Sequence, residues 1–317
     1  MTWLITGGAG YIGSHVVRAL RQDGRPVVVL DDLSTGRLEF VPEGVPVVEE
    51  SLLDADLRSV LSDHDVRGVV HLAAFKYAGV SVERPLHTYE QNVTALTRLL
   101  SAMVDRGVDK LVYSSSAAVF GAPDVELVTE STPTGPSTPY GRSKLVGEQM
   151  LADVGRAHGL THTSLRYFNV VGSGTPLVRD VSPHNLLPAT LERVARGEAP
   201  QIMGHDFPTD DGTAVRDYVH VSDVARAHAS AVRRMEERQP CEPVYHLGSR
   251  TGTSVLEAMR TVREVTGTAL EPRLLPRRPG DPARIVADSE LAARDLEWQV
   301  RHSFRDMVQS AWDALPS

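Results

Sequence analysis

Cysteine is almost missing from this chain: Cys241 stands alone among 317 residues. A lone cysteine excludes an internal disulfide and a cysteine metal cage. The twelve histidines are scattered, no two at metal-ligand spacing beside a third ligand, so no metal is expected. No apolar run approaches the roughly 18 residues that a membrane-spanning helix needs. The chain is already strand-like at Trp3, which leaves no room for a secretory leader. Positive charge is not in excess either: Lys and Arg number 33 against 41 Asp and Glu, a formal net charge of −8. That balance argues against a chain that coats nucleic acid, although a few well-placed arginines suffice for a small anionic ligand. Internal repeats and low-complexity linkers are also lacking. The expectation left is a soluble cytoplasmic protein with neither nucleic acid nor membrane as partner.

What is there is enough to fold. Apolar residues make up 41% and charged residues 23%, and the length suits about two domains. Short apolar runs at 4–6, 27–30, 45–48, 69–72, 111–114 and 163–167 read as strands, and 244–247 as one more. Between them, 14–23, 54–63, 86–106 and 139–158 have helical periodicity. Strands alternating with helices predict a doubly wound parallel sheet of the α/β class, covered on both faces. After about residue 171 Gly and Pro become frequent and the alternation turns irregular, which predicts a second, smaller α/β lobe over the strand ends. Residues 1–170 with about 215–250 are assigned to the first domain, and 171–214 with 251–317 to the second. The stretch PRLLPRRPGDP at 272–282 precedes two short helices in this reading.

TGGAGYIGSH at 6–15 places Gly7, Gly10 and Gly13 between the first strand and the first helix. A dinucleotide site needs glycines there and an acidic residue at the end of the second strand. Asp31 meets that need, 18 residues beyond Gly13. The free N–H groups of the helix N-terminus suit a pyrophosphate. Asp31 would accept hydrogen bonds from the adenosine ribose. With Asp32 beside it a 2′-phosphate would meet two carboxylates, so NAD fits better than NADP, and Arg37 is the one neighbour that weakens the choice.

The reacting groups come from two further stretches. KLVYSSSAAVFG at 110–121 is an apolar strand ending in three serines, and TPYGRSKLVGEQ follows at 138–149. Pro139 suits a first helical turn and Thr138 its cap, so Tyr140 and Lys144 lie on one helix face. An ammonium beside a phenol favours the phenolate, and Ser116 can hold a substrate hydroxyl next to it. In HLAAFKYAGVSV at 71–82, the small run Leu72, Ala73, Ala74 leaves room for a close-packed cofactor. Lys76 fits a phosphate contact or a solvated surface, and Asn92 a polar helix position or a contact behind the site.

The order of these motifs resembles the extended short-chain dehydrogenase/reductase (NAD-dependent epimerase/dehydratase) family, and within it the UDP-glucose 4-epimerase branch. The most specific piece is FPTDDGTAVRDYVHVSD at 207–223; VLDDLSTG, VSVERPL, LRYFN, PRRPGD and LEWQV also match. The resemblance implies NAD in a Rossmann-like domain, a UDP-sugar under the smaller lobe and a homodimer. It implies a reversible 4-epimerisation through a 4-keto sugar, with Tyr140 as base, Lys144 as its partner and Ser116 as third member. The cofactor contacts implied extend to Tyr11, Ile12, Ser34, Ser51, Leu52, Leu72, Ala73, Ala74, Lys76, Asn92, Ser114 and Tyr167. On the substrate side it implies Asn169, Asn185 and Leu186, with Arg216 and Arg278 on the diphosphate and Asp281 on the uridine ribose; Lys76 is shared between the two ligands. Paired arginines offer the forked donors that a diphosphate prefers.

Four positions depart from that pattern. Ser51 stands where the family usually has an adenine-contacting Asp, and Ala118 where a hydroxyl residue is expected. Val170 replaces a common proline, followed by a short 172–185 loop. Ile285 is neither the large Tyr that excludes N-acetylated sugars nor the small residue that admits them. UDP-glucuronate or UDP-GlcNAc therefore stand as alternative substrates, with Arg179 or His184 as the charge for a carboxylate. A 4,6-dehydratase lacks its acidic pair, since Ala117 and Ala118 follow the serines. A non-catalytic NAD sensor is the reading from another class, opposed by the presence of both Tyr140 and Lys144.

Overall fold

The computed structural model describes residues 1–182, 185–278 and 281–316. Strands β1 (Thr2–Thr6), β2 (Val27–Leu30), β3 (Val47–Val48), β4 (Val66–His71), β5 (Lys110–Ser116) and β6 (Thr161–Tyr167) join Val244–Leu247 in one seven-stranded sheet. The order is Val244–Leu247, β6, β5, β4, β1, β2, β3, with every neighbouring pair parallel. The chain builds outward from β1 to β3, then crosses back to β4 on the other side of β1. That reversal opens a crevice beyond the carboxyl ends of β1 and β4, where doubly wound sheets bind ligands. The predicted fold class is the observed one.

Period-two alternation within strands buries both faces. Trp3, Ile5, Val29, Val70, Val112 and Leu165 pack with helices Tyr11–Gln22 and Val221–Glu236 on one side. On the other, Leu4, Val28, Val69 and Leu111 meet residues of Leu57–Asp63, Ala95–Arg106 and Pro139–His158. In the second lobe, helices Leu186–Ala195, Val255–Thr266 and Phe304–Asp313 share a core around Leu187, Leu191, Val262 and Met307. A small three-stranded sheet accompanies it, with Val215–Arg216 between Thr253–Ser254 and Arg284–Ile285. The two short helices expected near the C-terminus are Glu290–Leu296 and Phe304–Asp313. Ala292, Leu296 and Trp298 nevertheless join the core of the large sheet.

Several boundaries differ from the sequence reading. The first helix starts at Tyr11 rather than near residue 14, because Gly7 turns the chain and Gly10 caps the helix. The helix read at 54–63 starts at Leu57, where the Asp56 side chain caps Ser59 N. The stretch 86–106 is interrupted: Pro85–Tyr89 and Ala95–Arg106 flank a π-turn at Glu90–Thr94 that holds Asn92. Among the described residues no helix is long and apolar enough to cross a membrane, and no group of His, Cys, Asp and Glu is placed to hold a metal.

Candidate active site

The glycine loop occupies the crevice. Gly7 has φ +70°, and a Cβ there would lie 2.7 Å from Ala73 N, so the loop presses against the Leu72–Ala73 segment that leaves β4. At Gly13 a Cβ would lie 2.0 Å from Gly7 O, which brings the helix start down onto the loop. Gly10 provides no side-chain cap for helix Tyr11–Gln22, leaving N-terminal N–H groups for an anion. Asp31, 7% exposed at the end of β2, accepts hydrogen bonds from Ala9 N (2.9 Å) and Leu33 N (3.0 Å). Burial pushes its carboxyl up while those bonds pull it down. Asp32 is exposed and accepts from the Ser34 amide (2.9 Å) and hydroxyl (2.6 Å). Arg37, the residue that weakened the choice of NAD, lies 3.5 Å from Glu39 and over the Phe40 ring, so a carboxylate already engages it. The Ser51 hydroxyl accepts from Leu53 N (3.1 Å) and Leu52 is buried in the core. These residues fit a dinucleotide with two ribose hydroxyls.

The Tyr–Lys helix runs Pro139–His158, with Pro139 in its first turn and the Thr138 hydroxyl accepting from Gly141 N at 3.2 Å. Ser81 Oγ anchors the same turn by accepting from Tyr140 N at 3.1 Å. Ser116 ends β5, and its hydrogen bond to Tyr140 pulls the phenol down. Burial pushes the phenol up and is the larger influence. The sequence reading expected the neighbouring ammonium to lower the phenol; in the structure burial outweighs the lowering influence and the phenol is raised. Lys144 is 3% exposed, donates from Nζ to Ser114 O at 2.8 Å, and lies 4.9 Å from the Tyr113 ring centre. Burial lowers its pKa to about 7, with Glu148 opposing.

A buried polar layer holds these groups in place. Asn92, on the π-turn, accepts from Phe75 N (2.7 Å) and donates to Phe75 O (3.1 Å) and Ser143 Oγ (2.8 Å). It thus joins the segment carrying Ala73, Ala74 and Lys76 to the Tyr–Lys helix, and a π-turn at such a position is frequent. Ser114 Oγ lies 2.9 Å from His228 Nε2, and Ser114 also hydrogen-bonds Tyr167. Glu148 makes two bonds to Arg166 (2.8 and 2.6 Å) and accepts from Ser115 Oγ at 2.5 Å. The sequence reading missed Ser115, Glu148, Arg166 and His228. Glu148 had a signal, standing four residues past Lys144 on the same helix face.

On the substrate side two groups form. Arg216, on Val215–Arg216, donates from Nη1 to Val215 O (3.0 Å) and Pro282 O (2.8 Å), and lies 3.9 Å from Asp281. Arg278 is exposed and its carbonyl accepts from Asp281 N at 3.3 Å, so its backbone adjoins the residue that faces Arg216. Asn169 adjoins them, its N–H donating to Asp217 O at 3.0 Å. The second group centres on Asp180, which accepts from Asn185 Nδ2 at 2.7 Å and lies 3.6 Å from Lys76 Nζ. Leu186 begins the helix that follows Asn185. The loop between is tied to the cofactor side, since Tyr11 OH donates to Gly172 O (2.6 Å) and Gly174 N to His15 Nε2 (2.9 Å). His184, named as a charge for a carboxylate, lies outside the described residues; Arg179 is partly buried in the loop.

A model of the NAD dependent epimerase/dehydratase family matches residues 3–248. The chain is 43% identical over 314 residues to a UDP-glucose 4-epimerase of Azospirillum brasilense, covering 97% of this chain and 90% of that protein. It is 42% identical to a UDP-glucose 4-epimerase of Corynebacterium glutamicum, over 98% of this chain and 95% of that one. The crystal structure of a UDP-glucose 4-epimerase from Stenotrophomonas maltophila, with bound NAD and formylated UDP-arabinopyranose, superposes with a TM-score of 0.94. Its identity is 39%, covering 99% of this chain and 97% of that one.

Proposed function

This chain belongs to the NAD-dependent epimerase/dehydratase family, and on that premise we propose that it interconverts UDP-glucose and UDP-galactose at C4 with NAD as cofactor. One observation carries the chemistry: Tyr140, its phenol facing Ser116 at the end of β5, stands one helical turn from buried Lys144. NAD, which the glycine loop and Asp31 would hold, would supply the acceptor and donor of the hydride at the sugar C4. Tyr140 accepts the proton of the 4-hydroxyl and later gives it back, so no net proton is consumed. Ser116 holds the reacting oxygen against the phenol. Lys144, drawn into the interior by Ser114 O, supplies the positive charge beside Tyr140 that burial alone would deny the phenolate.

Gly7, Gly10, Tyr11, Ile12 and Gly13 carry the pyrophosphate, Asp31 and Asp32 with Ser34 the adenosine ribose, and Ser51 and Leu52 flank the adenine. Leu72, Ala73, Ala74, Asn92, Ser114 and Tyr167 line the remaining cofactor wall. Arg216 and Arg278 hold the UDP diphosphate, Asp281 the uridine ribose, and Asn169, Asn185, Leu186 and Lys76 the rest of the nucleotide sugar. Holding the molecule by its UDP end leaves the hexose free to turn over. Residues 1–170 with about 215–250 form the NAD domain in this reading, supported by the packing of Val221–Glu236 on Tyr11–Gln22; 171–214 with 251–317 form the sugar-nucleotide domain. The protein works in the cytoplasm as a homodimer. Exposed Val82, Leu86 and Val104, beside the Tyr–Lys helix, are apolar surface for the second copy.

The test is epimerisation of UDP-glucose, UDP-GlcNAc and UDP-glucuronate in parallel, with products resolved by chromatography. UDP-galactose should form fastest, and Tyr140→Phe should lose a factor of about 10²–10⁴ in rate while keeping its NAD. Turnover of glucuronate alone would move the substrate and leave the mechanism. Binding of NAD without any turnover would favour the sensor.

A further inference from the structure

We propose that Glu148 is a positioning residue for the reaction, holding Ser116 and Lys144 in register and keeping a negative charge one turn from the Lys144 ammonium. This rests on the epimerase reading. Glu148 is 8% exposed and lies on the helix of Tyr140 and Lys144, four residues past the lysine. It reaches across to two strands. Oε1 accepts from Ser115 Oγ on β5 at 2.5 Å and from Arg166 Nε on β6 at 2.8 Å, and Oε2 accepts from Arg166 Nη2 at 2.6 Å.

The consequence lies in what Ser115 separates. Its preceding neighbour, Ser114, offers the carbonyl that receives Lys144 Nζ at 2.8 Å, and its following neighbour is Ser116, which faces the Tyr140 phenol. One carboxylate thus sets the depth of the serine strand against the helix, and with it both partners of the Tyr–Lys pair. Arg166 does more than balance charge. Its planar fork takes both carboxylate oxygens, so Glu148 cannot rotate away from Ser115. Catalysis is sensitive to such placement, since a displacement of about 1 Å can cost about 10²-fold.

The charge acts as well. Lys144 is faced by Tyr113 from β5, by His71 from β4, and by Tyr140 and Glu148 from its own helix. Glu148 is the one carboxylate among these groups. Facing Glu148 itself are Ser115, Arg166, Tyr113 and Lys144, and behind Arg166 lie His246 and Glu130. Burial drives the Lys144 proton off, and Glu148 opposes this.

The experiment compares Glu148→Gln, Glu148→Asp and the double variant Glu148→Gln/Arg166→Met, which leaves neither charge buried alone. Each NAD-loaded protein is assayed with UDP-galactose for kcat and KM across pH, alongside its melting temperature. We expect kcat to fall about tenfold or more in Glu148→Gln and in the double variant while KM stays near wild type. The basic limb of kcat should move down by about one pH unit, the scale of a charge pair a helical turn apart. Glu148→Asp should return the limb. A melting temperature that falls while the limb stays in place, with kcat restored in the double variant, would overturn the proposal and leave a structural ion pair. Failure of the double variant to fold would overturn it too, since the pair would then serve the fold itself. Wild-type protein inactive on every UDP-sugar would overturn the epimerase reading and this proposal together. Active wild type with indifferent variants would overturn this one only.

Discussion

Replacing Gly13 by alanine tests the cofactor cradle at its tightest point. The added Cβ would lie 2.0 Å from Gly7 O and 2.9 Å from Gly7 C and Gly8 Cα. All three are backbone atoms, which cannot rotate aside, so the helix start must lift from the loop by about 1.5 Å to regain ordinary contact. Overpacking of this kind costs about 1–3 kcal/mol, and the rigid neighbour places Gly13 at the upper end. Alanine returns about 1 kcal/mol through its helix propensity, leaving a net loss of about 2 kcal/mol. For a chain of this length that corresponds to a fall in melting temperature of about 3 °C. The lift also moves the N–H groups that face the pyrophosphate, so NAD affinity should fall about tenfold or more. The assay is thermal unfolding with and without added NAD, and calorimetric titration of NAD into stripped protein. Gly79→Ala is the matched control, because a Cβ there meets nothing within 4 Å on the helix Ala78–Glu83. It should leave stability unchanged or raise it by about 0.5–1 kcal/mol. Gly13→Ala indistinguishable from wild type in both measurements would refute the close-packing argument.

Two more outcomes follow from the same geometry. Arg216→Lys keeps the charge but loses the planar guanidinium whose Nη1 bonds Val215 O and Pro282 O and whose Nη2 faces Asp281, so KM for the UDP-sugar should rise about tenfold with kcat nearly unchanged; a lowered kcat at constant KM would contradict a purely binding role. Stability should fall as pH drops from 6.5 toward 4, because burial holds His15, His220, His228 and His246 at about 4 against an ordinary 6.5. The unfolded chain takes up those protons near 6.5 and the folded chain only near 4, so the fold loses ground throughout that window. Asp217, raised to about 6 by burial, works the other way as it protonates. Asp31 and Glu130 are raised by burial as well, but His71, lowered to about 3, makes a fifth histidine, and five against three does not reverse the trend. A flat melting profile between pH 6.5 and 4 would sink the histidine argument.

Much of the site was legible because dinucleotide binding needs local patterns. Gly7, Gly10 and Gly13 followed a strand and opened a helix, and Asp31 ended the next strand, as the structure has them. Thr138, Pro139, Tyr140 and Lys144 were likewise readable as a cap, a first turn and two positions on one face. The misses share a cause. Asn92 was ambiguous because nothing in YEQNV announces a π-turn, which exists to let its amide reach Phe75 and Ser143. Glu148 and Arg166 looked like an ordinary helix acid and a strand residue, since a charge shows its burial only when its partner arrives from another element. The interruption of 86–106 escaped for the same reason.

By itself, then, the order of residues determined the alternation of strands and helices, the glycine loop, the carboxylate pair of Asp31 and Asp32, and the Tyr–Lys face. Each depends on neighbours within about one helical turn or one strand, where backbone geometry dictates who meets whom. Only the tertiary structure decided that Ser114, Ser115 and Ser116 divide their work among Lys144, Glu148 and Tyr140. It alone brought Arg216 to Asp281, Lys76 to Asp180, and Arg166 to Glu148. Those pairings join segments 18 to 104 residues apart. They form because the tertiary fold brings together segments that are far apart in the chain, and for Arg166 and Glu148, both buried, the pairing offsets the loss of water.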